Sequence, residues 1–345
     1  MKISKSLLIS LTFLIVFVQL LIKYYFFPDW FIFGTKGDDY HYHELMKIWD
    51  NAPFRIDGLV SSGQKNTFAY VFRYFIIKNP IVHSLLMLIL FVYASVRLYY
   101  KLISLSLSYY KANVLYFLFL ISPLKYVWLF SHYKEGILFV LILLFATNKF
   151  RNIASLTTFI LRPILGLTLI LSKLLRRNSQ YRLLLLVSLI VGPLIIAFEY
   201  EWIWNIDRVN LFLSKIPRLT ENAFINSITI IIGMLVLSVI LPIFKKAGTS
   251  VYSGDFDSIV PLVNADFILN MPVSIMLLYN FRQLRVTQES LIYFVYVFVL
   301  LLSFMFLTNR HLLVVEVFKY LIIAQIHGHK KSKKSTGTLI HKFDE

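Results

Sequence analysis

Apolar runs of about twenty residues recur along this 345-residue chain, and they restrict what it can fold into more than any other feature. A helix that crosses the hydrocarbon layer of a bilayer needs about 20 mostly apolar residues. Such runs lie near Ser6–Phe27, Ile81–Tyr99, Ala112–Phe130, Arg182–Tyr200, Phe224–Phe244, Ser290–Leu307 and His311–Ile326. Three weaker segments accompany them. Gly136–Thr147 is short, Ile153–Ser172 is interrupted by Arg162-Pro163, and Ile259–Asn280 contains Asp266, Asn270 and Pro272. The pattern predicts an all-α fold, a polytopic transmembrane helical bundle of eight to ten spans. The spans form a single domain over residues 1–326, followed by a basic tail over 327–345. A mean hydropathy of +0.70 and a charged fraction of 15% agree, since soluble domains carry roughly a quarter charged residues. An ordinary soluble enzyme and a disordered chain are excluded. With 0 cysteines, so are a disulfide framework, a thiolate zinc site and a cysteine nucleophile.

The charge balance orients the spans. Lys and Arg number 35 and Asp and Glu 18, a formal net charge of 35 − 18 = +17. In so apolar a chain this excess reads as cytoplasmic loops biased to Lys and Arg, not as a nucleic-acid surface. Lys2 and Lys5 precede the first span and no small-residue cleavage site follows it, so the span reads as an uncleaved anchor with its N-terminus in the cytoplasm. Lys330, Lys331, Lys333 and Lys334 place the tail on the same side, against anionic lipid. Both ends inside require an even number of spans. Lys149 with Arg151, then Lys173 with Arg176 and Arg177, then Lys245 with Lys246, also prefer the cytoplasm. Satisfying every cluster makes Ile153–Ser172 and Ile259–Asn280 re-entrant hairpins, turning at Arg162-Pro163 and at Asp266–Pro272. If both instead span, there are ten helices and two basic clusters sit on the wrong side.

The first outer loop, over residues 28–80, inverts the overall charge. Between Pro28 and Lys65 it holds Asp29, Asp38, Asp39, Glu44, Asp50 and Asp57 against Lys36, Lys47, Arg55 and Lys65, a balance of 4 − 6 = −2. Tyr42, Leu45, Met46 and Trp49 form one helical stripe in Tyr40–Asn51, and His43, Lys47 and Asp50 form another. Together with the aromatic-rich Thr67–Lys78, this segment reads as a pair of helices lying in the membrane interface. At its start stands Gly37-Asp38-Asp39-Tyr40-His41-Tyr42-His43-Glu44. Two adjacent carboxylates at a helix start can act as a general base on a sugar hydroxyl, or ligate a divalent cation, Mg2+ or Mn2+. Asp39 and His43 share a helix face, so they can act on one ligand. The plain alternative is that Asp38 caps the helix and that His41 and His43 are interfacial polar groups.

An acidic pair followed by Tyr and His, between spans one and two, resembles the C-type (GT-C) superfamily of membrane glycosyltransferases. Gly-Asp-Asp-Tyr-x-Tyr is also similar to the first loop of some bacterial polysaccharide polymerases. A second block, Ser122-Pro123-Leu124 through His132-Tyr133-Lys134-Glu135-Gly136, together with Arg162-Pro163, is similar to a pattern in bacterial proteins of the same glycosyltransferase type. The resemblance covers roughly residues 1–175. It implies a catalytic Asp in the first outer loop, two interfacial helices there, and a sugar donor carried on polyprenyl phosphate or diphosphate at the outer face of a bacterial inner membrane. The chain departs from oligosaccharyltransferase-like members: it shows no large C-terminal soluble domain and no second Asp-rich outer loop.

On this basis Asp38 and Asp39 are the catalytic candidates, and the candidate metal ligands. His41, His43, His132, Lys134, Glu135, Arg162 and Arg310 are candidates for binding the sugar or its phosphate. Arg162 suits phosphate through its planar donor fork, or it satisfies backbone carbonyls at the Pro163 break. Lys134 and Glu135 are either a simple ion pair or a carrier-binding pair with His132, Glu135 orienting the others. Arg310 lies in a short outer turn, as a phosphate ligand or an interfacial anchor. Glu316 and Lys319 are three residues apart and neutralise each other structurally. Asp266 is either an ion site or a group satisfying a helix break, and His83 is structural. The expected activity is transfer of a sugar or glycan repeat to an acceptor in surface polysaccharide assembly, alongside other assembly proteins. Two alternatives stand beside it: an O-antigen or capsule repeat-unit polymerase, and a lipid-linked sugar transporter (flippase).

Overall fold

Ser4 opens the first helix, its hydroxyl accepting a bond of 3.3 Å from the Leu7 amide. The computed structural model describes residues 3–27, 44, 79–131, 134–174, 260–280, 283, 287–302 and 314–328. Among these residues the regular structure is helical and no strand occurs. The helices are α1 (Lys5–Phe26), α2 (Pro80–Ser106), α3 (Tyr109–Ile121), α4 (Leu124–Leu129) and α5 (Lys134–Ala146). They continue with α6 (Arg151–Leu161), α7 (Pro163–Leu174), α8 (Val260–Tyr279), α9 (Gln288–Leu302) and α10 (residues 314–328). Two of them, α1 and α2, are long and apolar enough to cross a membrane. The predicted spans Arg182–Tyr200 and Phe224–Phe244, and both predicted interfacial helices except Glu44, lie outside the described residues.

α1 and α2 are built inside out by the standard of a water-soluble protein. Leu7, Phe13, Leu14, Phe17 and Leu21 on α1, and Ile81, Leu85, Ile89 and Tyr93 on α2, are exposed. Thr12, Gln19 and Lys23 of α1, and His83, Ser84 and Ser95 of α2, are buried. Several of the buried polar groups bond between helices, which holds helices together where apolar surface gives no preference for packing. Thr12 Oγ1 lies 2.8 Å from the Tyr116 hydroxyl, and Gln19 Nε2 donates to the Ile121 carbonyl at 3.2 Å, so α3 runs parallel to α1. The Tyr24 hydroxyl lies 3.0 Å from Ser84 Oγ, so the end of α1 meets the start of α2 and the two are antiparallel. Asn79 caps α2 from the same place, its side chain accepting from the Ile81 and Val82 amides at 2.9 and 3.3 Å, with Pro80 in the first turn. We call the end where α1 starts the near end, and the end where it finishes the far end. Stacked rings of Phe91, Phe119 and Phe139, with centroids 5.7 to 6.2 Å apart, join α2, α3 and α5 at mid-height.

The predicted third span does not form as one helix. Pro123 has no amide to donate and disfavours a helical residue before it, so Ser122 turns extended at φ −62 and ψ 114 and the chain restarts as α4. The open carbonyls of α3 are then satisfied from neighbouring side chains. Lys125 Nζ donates to Phe119 O, the Tyr126 hydroxyl donates to Leu120 O at 2.6 Å, and Gln19 takes Ile121 O.

The two ambiguous segments resolve in opposite ways. Residues 151–174 form a helical hairpin, α6 and α7, broken where Arg162 leaves the helix at φ −152 and ψ 88. Lys173 Nζ donates to Asn152 Oδ1, so the two stems close on each other. Gly166 permits this: a Cβ there would lie 2.1 Å from the Phe159 Cα. The hairpin turns at Arg162-Pro163, the position the sequence gives for a turn in this segment. Val260–Tyr279 is instead a single helix with Pro272 inside it, so the predicted turn at Asp266–Pro272 is absent. Twenty residues at 1.5 Å each give about 30 Å. That length, and not a hairpin, is what the segment supplies.

Candidate functional site

The far end gathers groups that the sequence presents far apart. α5 starts there with Lys134, Glu135 and Gly136. Gly136 lets its first turn lie directly on α4, since a Cβ would come within 2.8 Å of the Leu129 and Trp128 carbonyls. The hairpin brings Arg162 to the same place, and its Nη1 donates to Glu135 Oε1 at 3.5 Å. Glu135 is 2% exposed and Arg162 11%. Glu135 and Arg162 thus pair across 27 residues. Sequence reasoning proposed both residues but not their pairing with each other; the Lys134 side chain lies outside the described residues. At the Pro163 break the backbone serves itself, Arg162 N donating to Thr158 O and Gly166 N to Arg162 O, so the guanidinium is not spent on those carbonyls.

α9 supplies a residue that the sequence did not single out. Gln288 fixes the start of α9 at the near end, accepting from Arg151 Nη2 at 3.1 Å and donating to Ser172 Oγ at 3.2 Å. Two turns later Tyr296 is completely buried, and its hydroxyl has no hydrogen-bond partner among the described residues. In a chain with 21 tyrosines nothing in the sequence marks this one.

A second polar group lies deeper, at the break between α3 and α4. Ser122 Oγ donates to Asp266 Oδ1, Asn270 Nδ2 donates to Ser122 Oγ at 3.0 Å, and the Tyr320 hydroxyl donates to Asn270 Oδ1 at 2.7 Å. All four side chains are buried. Asp266 is thus bonded to the side chain of the residue that ends α3, while its own helix runs on through Pro272 and has no break for it to satisfy. Ser122 lies 144 residues from Asp266 and Tyr320 lies 50 residues from Asn270, and neither pairing was foreseen. Lys319 Nζ and Glu316 Oε1 pair at 3.7 Å on the same helix as Tyr320, both buried, as their spacing predicts. His83 is buried in the first turn of α2.

The remaining candidates are not placed. Asp38, Asp39, His41, His43, His132 and Arg310 lie outside the described residues, and for Lys134 the backbone alone is described. Among the described residues no group of three or more His, Asp or Glu gathers as a metal site. The chain that carries Asp38 and Asp39 leaves α1 at Phe27 and enters α2 at Asn79, and both points are at the far end. No family of proteins, no curated protein and no solved structure matches this chain.

Proposed function

We propose that this protein is an integral-membrane glycosyltransferase of bacterial surface-polysaccharide assembly. It is a polytopic, GT-C-like bundle in the inner membrane with both termini in the cytoplasm. It transfers a sugar or glycan repeat from a polyprenyl phosphate or diphosphate carrier to an acceptor at the outer face. The observation that carries this reading is the convergence at the far end: the acidic loop is rooted there at both ends, and Glu135 and Arg162 meet there. The exposed apolar faces of α1 and α2 support a bilayer as their solvent.

The chemistry is one displacement at the anomeric carbon. Asp39 or Asp38 takes the proton of the acceptor hydroxyl, and the hydroxyl oxygen forms the new bond to the anomeric carbon. The bond from that carbon to the carrier phosphate breaks, and its electron pair leaves on the phosphate oxygen. Arg162 and Lys134 offer positive charge where negative charge grows. A phosphate leaves readily, so no acid catalyst is needed. Asp38 and Asp39 are also the residues that would hold a Mg2+ or Mn2+ ion.

The test is Asp38→Asn and Asp39→Asn in cells, scored for surface glycan and for lipid-linked precursor. Loss of glycan with precursor accumulating at the outer face is expected from at least one variant. Normal glycan in both would overturn the assignment. A lipid-linked sugar transporter is the second reading, favoured by the broken helix at Ser122-Pro123 and the buried Asp266, features that line pathways in transporters. It wins if precursor is trapped on the cytoplasmic side. A repeat-unit polymerase differs in product: its loss leaves single repeat units on the acceptor.

A further inference from the structure

We infer that the outward face of α2 is a docking site for a membrane-spanning helix of another protein, one that bears an aspartate or glutamate near its middle. This rests on the membrane insertion proposed above and not on the transferase chemistry. The centre of the site is Arg97, a cation inside the apolar run Ile81–Tyr99. It falls on the same helical stripe as Ile89, Tyr93 and Tyr100, all of them exposed. Tyr93 is the middle residue of α2, since 93 − 80 and 106 − 93 are both 13. At 1.5 Å per residue it stands about 20 Å from either end. The Tyr24–Ser84 contact sets it level with the middle of α1 as well: nine residues on from Ser84 is Tyr93, and nine back from Tyr24 is Ile15. The Arg97 guanidinium lies over the Tyr93 ring, 5.0 Å from its centroid. An arginine that snorkels reaches for the nearer interface. Here the nearer end of α2 is Ser106, and the guanidinium is turned the other way, towards mid-height.

Arg97 Nε is buried and has no hydrogen-bond partner among the described residues, and no carboxylate of those residues pairs with the guanidinium. The Tyr93 ring attracts the charge, but it leaves the five N–H donors of a guanidinium without an oxygen. Charge at the centre of a bilayer is costly and is found paired. Depth and charge together select the occupant. A lipid phosphate sits at the edge of the hydrocarbon, about 15 Å from its middle, and so lies away from the Tyr93 level. The described acids of the bundle, Glu135, Asp266, Glu289 and Glu316, are all buried, so those helices in a second copy offer Arg97 no carboxylate. A foreign helix with a central carboxylate supplies both needs: oxygens for the donor fork, and an apolar surface to pack along Ile89 and Tyr93.

The test uses the full chain and a designed helix of about 20 leucines and alanines with one aspartate at its middle, in phosphatidylcholine vesicles at neutral pH. Association is read by energy transfer between dyes on the two. The parent chain should hold this helix at least about tenfold more tightly than the same helix with leucine in place of aspartate, the worth of a hydrogen bond to a charged group. Moving the aspartate two turns towards either end should remove most of that preference. Arg97→Leu should abolish the preference while leaving thermal stability unchanged or raised, and Arg97→Lys should retain part of it. Equal affinity for the aspartate and leucine helices overturns the site, as does a preference that survives in Arg97→Leu. If the preference vanishes when phosphatidylglycerol is added to the vesicles, a lipid headgroup is the occupant. If Ile89→Cys cross-links two copies of the chain, the occupant is a second copy. Either result overturns the partner helix. Asp39→Asn, which should lose glycan, should bind the helix as the parent does. Loss of glycan in Asp39→Asn with no preference in the parent would leave the transferase standing and remove this surface.

Discussion

Arg162 shows how one residue's role depends on what it meets. A lone cation inside an apolar segment is costly, and here the cost is offset by Glu135, itself 2% exposed. Removing one partner of a buried pair leaves the other charge uncompensated, at about 3–5 kcal/mol. Arg162→Met should therefore destabilise strongly in thermal unfolding. Combining it with Glu135→Gln should recover much of the loss, and purely additive effects would show that the two groups are not coupled. The Asp266 network predicts a smaller effect. Tyr320→Phe removes the donor to Asn270 Oδ1 and should cost about 1–2 kcal/mol, without altering surface glycan. At this scale the sequence was half legible. The motif around Lys134-Glu135 and the Arg162-Pro163 pair marked two residues that the fold brings together. Tyr296, Lys125 and Tyr320 carried no mark, because an aromatic or a lysine gains its meaning only from the helix packed against it.

At the scale of the element, two proline-containing segments behave differently. Ile153–Ser172 breaks before its proline and folds back, whereas Val260–Tyr279 continues through Pro272. The difference lies in the neighbours each segment finds. In the first, Gly166 lets the returning helix close on Phe159; in the second, Asp266 and Asn270 are tied to α3 and α10 and need no turn. Gly166→Ala should accordingly destabilise by about 3 kcal/mol through overpacking, measured by thermal unfolding in detergent. The hairpin is tested more directly by Asn152→Cys with Lys173→Cys in this cysteine-free chain. The two positions should cross-link rapidly under mild oxidation. In a continuous helix they would stand about 30 Å apart, and no cross-link would form.

Among the described residues the helices alternate between two ends. α1 and α3 run from the near to the far end, and α2 runs back. The hairpin enters and leaves at the near end, where Arg151, Ser172 and Gln288 meet. Lys111 and His327 close the same end, 3.4 Å apart. This arrangement makes a topological prediction. Single cysteines at Lys5, Ser108 and Asn148 should be blocked by a membrane-impermeant thiol reagent only after the cell is opened. One at Asn79 should be blocked in intact cells. Labelling of Asn148 and Asn79 from the same side would overturn the proposed insertion.

Periodicity and length by themselves determined that the described residues are helical, where most of those helices begin, and that α1 and α2 are long and apolar enough to cross a membrane. These properties arise from local backbone and transfer energies, which a sequence states directly. Glu135 and Arg162 were also legible, since charge in an apolar chain is conspicuous. Only the tertiary structure decided that the third apolar run is two helices, that one proline segment turns and the other does not, and that Arg162 pairs with Glu135. Those outcomes depend on which distant side chains satisfy an opened backbone or an enclosed charge, and that is settled by packing in three dimensions.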